Sequence, residues 1–227
     1  MMIAARTKPR DTLRMQNYKQ QFFELAMAQG NLKFGEFTLK SGRISPYFFN
    51  AGGFDDGRSL EVLSACYAGA ILDSKLAFDM LFGPAYKGIP LAAGIAIMLN
   101  SAHGRNTPFA YNRKEAKDHG EGGTLVGAGL AGNVLITDDV ISAGTSVRES
   151  INWIHQAGAT ACGVAIALDR QERGKGEKSA AQEVMDEFGI PVIAIASLDD
   201  LINFLESQSV ANIDIKAIRR YRDSYGV

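Results

Sequence analysis

Short stretches that are apolar throughout, rather than alternating with polar residues, constrain this chain more than anything else in it. They lie at residues 79–82, 133–137, 161–168 and 192–195. Each is short for a helix and too uniformly apolar for a strand with one face in water. A segment of helical pattern follows each of them, at 89–100, 145–157, 179–188 and 198–205. A strand apolar on both faces needs cover on both faces, and helices that carry the chain to the next parallel strand supply it. The pattern predicts an α/β fold: a central, mostly parallel sheet flanked by helices.

Ahead of this core, residues 17–29 read as an amphipathic helix stopped by Gly30. Residues 32–50 read as strands with turns at Lys40-Ser41-Gly42 and Ser45-Pro46, and 58–74 as a second helix after the Asp55-Asp56-Gly57 turn. Residues 109–112 read as a short strand and 213–221 as a last helix. Together they predict one domain over 16–227, with a small N-terminal hood over about 16–55. Residues 1–15 carry Arg6, Lys8, Arg10 and Arg14 without an apolar signal core, and read as a weakly ordered extension.

Composition excludes several classes. The 227 residues suffice for a real core, and 24 Lys+Arg against 25 Asp+Glu give a net charge of -1. That balance lacks the basic excess of a nucleic-acid or anionic-membrane binder. No apolar run approaches a membrane span. Cys66 and Cys162 are too few and too isolated for a disulfide framework or a Cys-based zinc site, so a reducing, cytoplasmic setting is expected.

In parallel sheets, ligands sit beyond the carboxyl ends of the strands. That rule singles out residues 83–88, 138–145 and the pair Asp169-Arg170. It also disposes of Gly127-Ala128-Gly129-Leu130-Ala131-Gly132, which matches the dinucleotide fingerprint G-x-G-x-x-G. The fingerprint must follow a strand and open a helix. These glycines precede a strand, with no helix starting at Gly132, and read as a connector. The strongest signal is Val134-Leu135-Ile136-Thr137-Asp138-Asp139-Val140-Ile141-Ser142-Ala143-Gly144-Thr145-Ser146. A buried strand runs into two acids, a loop of small residues and a helix. Backbone N–H groups, the hydroxyls of Ser142, Thr145 and Ser146, and the positive helix end suit a phosphate. Asp138 and Asp139 suit ribose hydroxyls, or Mg²⁺ and its waters.

This segment resembles the ribose-phosphate motif of the type I phosphoribosyltransferases, which use 5-phosphoribosyl 1-diphosphate (PRPP). Four further segments resemble the orotate-using branch of that family. Phe34 to Arg43 with Ser45-Pro46-Tyr47-Phe48-Phe49-Asn50 resembles its hood. Gly83-Pro84-Ala85-Tyr86-Lys87-Gly88 resembles its pyrophosphate loop, in which family members often have a cis-like peptide, here Ala85-Tyr86. Asn112-Arg113-Lys114-Glu115-Ala116-Lys117-Asp118-His119-Gly120 resembles its mobile catalytic loop. Leu168-Asp169-Arg170-Gln171-Glu172-Arg173-Gly174 resembles its base-anchoring strand end. The resemblance runs from about Tyr18 to the last residue.

It implies a type I phosphoribosyltransferase fold and transfer of a phosphoribosyl group from PRPP to orotate, with Mg²⁺. The enzyme would be a homodimer whose active site is shared between subunits. Lys117 and His119 would serve the leaving pyrophosphate, and Asp138 and Asp139 the ribose. Lys40, Tyr86, Lys87, Arg113, Lys114 and the stretch Val140, Ile141, Ser142, Ala143, Gly144, Thr145 and Ser146 would complete the PRPP site. Phe48, Phe49, Ser142 and Arg170 would hold orotate. The residues agree. Arg170 offers a planar fork for a carboxylate or imide oxygens. Phe48 and Phe49 offer a ring face and backbone groups, although core packing is a fair reading for at least one of them. The stretch 113–123 is rich in cations and ends in glycines, as a lid over a polyanion would be. Ser142 departs from the family's usual Thr; it keeps the hydroxyl and loses a methyl, so a modest effect on affinity is expected. A transferase for another base would need a different pocket in place of Phe48, Phe49 and Arg170. A PRPP-sensing regulator would need a DNA-binding module or basic face, and neither is evident.

Overall fold

The computed structural model describes residues 17–39, 41–117, 123–142, 144–174, 176–208 and 212–227. The extension 1–15, and among the expected site residues Lys40, His119 and Ala143, lie outside the described residues. In chain order the elements are α1 (Tyr18–Ala28), β1 (Leu32–Thr38), β2 (Ile44–Phe49), α2 (Gly57–Asp73), β3 (Met80–Gly83), α3 (Gly88–His103), β4 (Phe109–Lys117) and β5 (Gly123–Gly127). There follow β6 (Asn133–Thr137), α4 (Thr145–Gln156), β7 (Thr160–Asp169), α5 (Ala180–Phe188), β8 (Val192–Ser197), α6 (Leu198–Gln208) and α7 (Ile215–Tyr225).

The expected sheet is present, with strand order β5-β4-β3-β6-β7-β8. All neighbours are parallel except β4 and β5. The apolar runs are buried on both faces, as their composition requires. Met80, Phe82, Val134, Ile136, Val164 and Ile166 pack into one core with Val147, Ile151 and Ile154 of α4. Leu81, Leu135, Ala165 and Ala167 face the other core, with α1, α2, α3 and α6. Successive strand residues point to opposite faces, so one run feeds both layers.

Three expectations are corrected. Ser45-Pro46 is not a turn but part of β2. β2 pairs only with β1, and Pro46 falls opposite the register irregularity between Phe34 and Phe37, where its missing N–H breaks no ladder bond. The strand expected over 109–112 continues to Lys117, so Arg113 and Lys114 begin no loop. Its partner β5 was not anticipated; it pairs Tyr111 with Val126 and Asn112 with Leu125, forming an edge ribbon on which Arg113 is half-buried and Lys114 exposed. The run 127–132 closes β5 and leads into β6 with no helix, as expected.

Where β3 ends, the chain turns and enters α3 with almost no space between the two. A Cβ at Gly83 would lie 2.0 Å from the carbonyl oxygen of Gly88, and one at Gly88 would lie 2.7 Å from that of Thr137. Residues 84–87 are thereby held tightly against the ends of β3 and β6. Gly83→Ala should lower stability by roughly 1–3 kcal/mol in urea denaturation, because backbone rather than a mobile side chain must yield. Gly57→Ala, where an added Cβ meets nothing within 4 Å, is the matched control and should stay within about 0.5 kcal/mol of the parent protein.

Candidate active site

β3 and β6 are adjacent, but the chain leaves β3 toward β4 and leaves β6 toward β7. Segments leaving two such strands diverge and open a crevice between them. Here the crevice is walled by residues 84–87 on one side and by Asp138 and Asp139 on the other. Across it the Lys87 ammonium donates to Oδ2 of Asp139 at 2.5 Å. Asp139 is buried, whereas the Lys87 side chain is half exposed. A cavity of about 240 Å³ adjoins the pair, lined in part by Tyr86, Lys87, Asp139 and the hood turn Ala51-Gly52.

Asp138 and Asp139 have different surroundings. The Asp138 N–H donates to the Ala165 carbonyl, its own carbonyl accepts from the Tyr67 hydroxyl at 2.7 Å, and its Oδ1 accepts from the Asp139 N–H at 2.9 Å. Burial pushes the Asp138 carboxyl up to about 6; the Asp139 N–H lowers it and the Asp139 charge raises it further. Asp139 has Lys87 to balance its charge.

The loop beyond them fits a phosphate. Gly144 adopts φ 70° as the residue that caps α4, and no side chain caps that helix. By contrast, Asp56 caps α2 and Ser179 caps α5 through reciprocal side-chain bonds. The first N–H groups of α4 therefore stand ready for an anion. Ser142 and Thr145 are exposed and Ser146 is half-buried. Val140 and Ile141 pack their side chains onto the two cores, so what they offer a ligand is backbone.

The pyrophosphate-type loop has the Ala85–Tyr86 peptide in the cis form. The Ala85 N–H donates to Oδ1 of the buried Asn112 at 2.7 Å, and the Lys114 ammonium lies 4.8 Å from the centre of the exposed Tyr86 ring. The base of the β4–β5 ribbon is thus tied to this loop. Arg113 and Lys114 lie on β4; Lys117, its last residue, is described by its backbone.

At the end of β7, Arg170 lies against Glu172 and against Ser45 and Tyr47 of the hood. Phe48 is exposed on β2, with Phe37 5.6 Å away. The Phe49 ring is in the core, edge-on to Phe22 at 5.7 Å, so only its backbone can meet a ligand. Sequence reasoning assigned no part to Asn112, Tyr67 or Glu172. Glu172 had a visible signal, two residues beyond Arg170. Tyr67 had none, because a tyrosine on a helix face reads as core.

The phosphoribosyl transferase domain profile matches residues 55–194. The chain is similar to the orotate phosphoribosyltransferase of Thiobacillus denitrificans, 60% identical over 213 residues, covering 94% of this chain and 100% of that protein. It is 62% identical to that of Thioalkalivibrio sulfidiphilus over the same length and coverage. The crystal structure of the orotate phosphoribosyltransferase of Francisella tularensis matches with a TM-score of 0.83 and 42% identity, over 91% of this chain and 99% of that one.

Folding favours the acid form of Asp138, so its carboxylate works against the fold. Stability tied to this group is complete below its ordinary value of 3.8 and is lost as pH rises through about 6. Asp138→Asn should therefore stabilise the ligand-free protein at about pH 8, by roughly 1–3 kcal/mol. The gain should shrink toward zero at about pH 4. Thermal melts across that range test it; a gain independent of pH would assign the effect to something other than the carboxylate charge.

Proposed function

The chain belongs to the orotate phosphoribosyltransferases of the type I phosphoribosyltransferase family, and from that membership we propose how its own residues divide the reaction. The 5-phosphoribosyl group of PRPP passes to orotate, giving orotidine 5′-monophosphate and pyrophosphate, in pyrimidine biosynthesis. The bond from C1 of the ribose to pyrophosphate breaks as a ring nitrogen of orotate bonds to C1. Positive charge grows on the sugar and negative charge on the leaving pyrophosphate. The protein has to align the two reactants and neutralise the leaving group. Orotate arrives as an anion, so no strong general base is required.

The single observation that carries this division is the Lys87–Asp139 contact across the crevice. It puts the cation meant for pyrophosphate and the acid meant for ribose within bonding distance. An entering PRPP offers Lys87 phosphate oxygens and leaves Asp139 free to accept from a ribose hydroxyl. Asp138 takes the neighbouring hydroxyl. The uncapped start of α4, with Ser142, Ala143, Gly144, Thr145 and Ser146 and the backbone of Val140 and Ile141, receives the 5′-phosphate. Tyr86, Lys40, Arg113 and Lys114 would serve the pyrophosphate, and Lys117 and His119 would offset its charge as it leaves. Arg170, the Phe48 ring and the backbone of Phe48 and Phe49 hold orotate, beside Ser142.

Among the described residues no three carboxylates, histidines or cysteines gather as a metal cage. Two adjacent acids without a third ligand suit Mg²⁺ held mainly by substrate oxygens, with Asp138 and Asp139 reached through water. When bound, Mg²⁺ would offset charge on the pyrophosphate. We further propose a homodimer in which the β4–β5 ribbon closes over the partner's site, and a cytoplasmic enzyme. Its two free cysteines fit a reducing compartment, and no helix of the described residues is long and apolar enough to cross a membrane.

Purified protein given orotate, PRPP and Mg²⁺ should consume orotate, followed by its absorbance; no loss of orotate would refute the activity. Arg170→Ala should raise the orotate KM on the order of 10- to 150-fold, the size of a lost charge-assisted bond, with little change in the PRPP KM. Lys117→Ala and Asp139→Asn should each be nearly inactive alone. In a mixed dimer one site carries both lesions and the other neither, so about half of the parental activity per mixed dimer should return. No recovery in verified heterodimers would mean that each ribbon closes over its own site.

A further inference from the structure

Arg170 is already engaged before any substrate arrives. Its Nε and Nη2 both donate to Oε1 of Glu172, at 3.0 and 2.6 Å. Its guanidinium carbon lies 4.5 Å from the centre of the Tyr47 ring. The Arg170 and Glu172 side chains are only 21% and 13% exposed. A guanidinium has five N–H donors in one rigid plane. Glu172 occupies the Nε edge and Ser45 Oγ lies 3.5 Å from Nη2, which leaves Nη1 as the nitrogen without a hydrogen-bond partner among the described residues, held in one fixed direction.

Glu172 is itself held from the hood. The hydroxyl of the fully buried Tyr47 donates to the same Oε1 at 3.1 Å. The Glu172 backbone forms a bridge with Gly226, and the ring of Tyr221 on α7 stands edge-on to Tyr47 at 6.2 Å. The Tyr47 hydroxyl of β2 and the Arg170 guanidinium therefore converge on one carboxylate oxygen, with α7 packed against Tyr47, and that oxygen sets the orientation of Arg170.

We infer that Glu172 is a positioning residue for orotate recognition, acting through Arg170, and that Tyr47 of the hood fixes Glu172 in turn. The inference rests on the reading of Arg170 as an orotate-binding residue. An arginine anchored along one edge has lost most of its rotamer freedom before the substrate binds, so little is lost on binding. Its charge is also partly balanced by Glu172, so directed hydrogen bonds matter more than bare attraction. The site would then favour a planar carboxylate or imide that meets the Nη1 edge squarely over an anion of other shape.

A double-mutant cycle tests this with steady-state kinetics for both substrates and a melting temperature for each variant. Glu172→Gln should raise the orotate KM on the order of 10-fold, with kcat and the PRPP KM within about 2-fold. Tyr47→Phe, which keeps the ring under Arg170, should move the orotate KM the same way by a smaller factor. It keeps the test decisive where Glu172→Gln lowers the yield of folded protein. In an Arg170→Ala background neither change should raise the orotate KM further. A purely structural ion pair would instead lower the melting temperature and raise both KM values alike, or add in full to Arg170→Ala, and either result overturns the inference. If Arg170→Ala raises the orotate KM but Glu172→Gln and Tyr47→Phe do not, the inference alone fails. If Arg170→Ala itself leaves the orotate KM unchanged, the assignment of Arg170 fails first.

Discussion

The burial of β6 on both faces is the constraint from which the rest of the structure follows. Val134 and Ile136 belong to one core and Leu135 to the other, and none is exposed. Such a strand has no face on which to carry chemistry. Polar groups are displaced to its end, where Asp138 and Asp139 stand. The same holds for β3, whose end carries the turn to Lys87, and for β7, whose end carries Asp169 and Arg170. The proposed site residues share one edge of the sheet because that edge is the first place where apolar packing stops.

Charge balance at this edge is arranged within the protein alone. Asp138 is buried and drawn toward its acid form, while Asp139 is met by Lys87. An uncompensated buried carboxylate would be costly. Asp139 offsets that cost by pairing, whereas Asp138 bears it above about pH 6, where its carboxylate is charged. On the proposed reading, a bound polyanion would change the pairing of Asp139 by giving Lys87 competing partners. The phosphate loop contributes through omission: α4 begins without a side-chain cap, so its N–H groups remain available.

The hood and α7 brace the end of β7, where the proposed orotate site lies. Tyr47 lies under Arg170 and donates to Glu172, and Arg43 donates to the carbonyls of Arg173 and Gly174 at 2.7 and 3.2 Å. An element that adds nothing to the central sheet thus holds the segment after β7 in place. The tie between Asn112 and Ala85 does the same for the pyrophosphate loop. In both cases a residue distant in sequence fixes the backbone or side chain that the proposed function assigns to the ligand.

What the sequence determined by itself was whatever depends on neighbours along the chain. Uniformly apolar runs specify strands buried on both faces, and the run from Val134 to Ser146 announces strand, acid pair and helix start together. The glycines of 127–132 could be set aside because their order relative to the strand was wrong. The long β4–β5 ribbon was not legible, since the cation-rich stretch from Arg113 read as a lid loop, and β4 runs on to Lys117 only because β5 is there to pair with it at Asn112 and Lys117. Nor was Pro46 in β2, which depends on having a single strand neighbour. Phe48 and Phe49 could not be told apart by composition; the pleat of β2 puts one outward and the other against Phe22. The partners of the site residues, Asp139 for Lys87, Glu172 and Tyr47 for Arg170, Tyr67 for Asp138, were decided only in the tertiary structure. Hydrogen bonds and ion pairs act over about 3 Å, and apart from the near neighbour Glu172 only folding brings side chains so far apart in the chain to that distance.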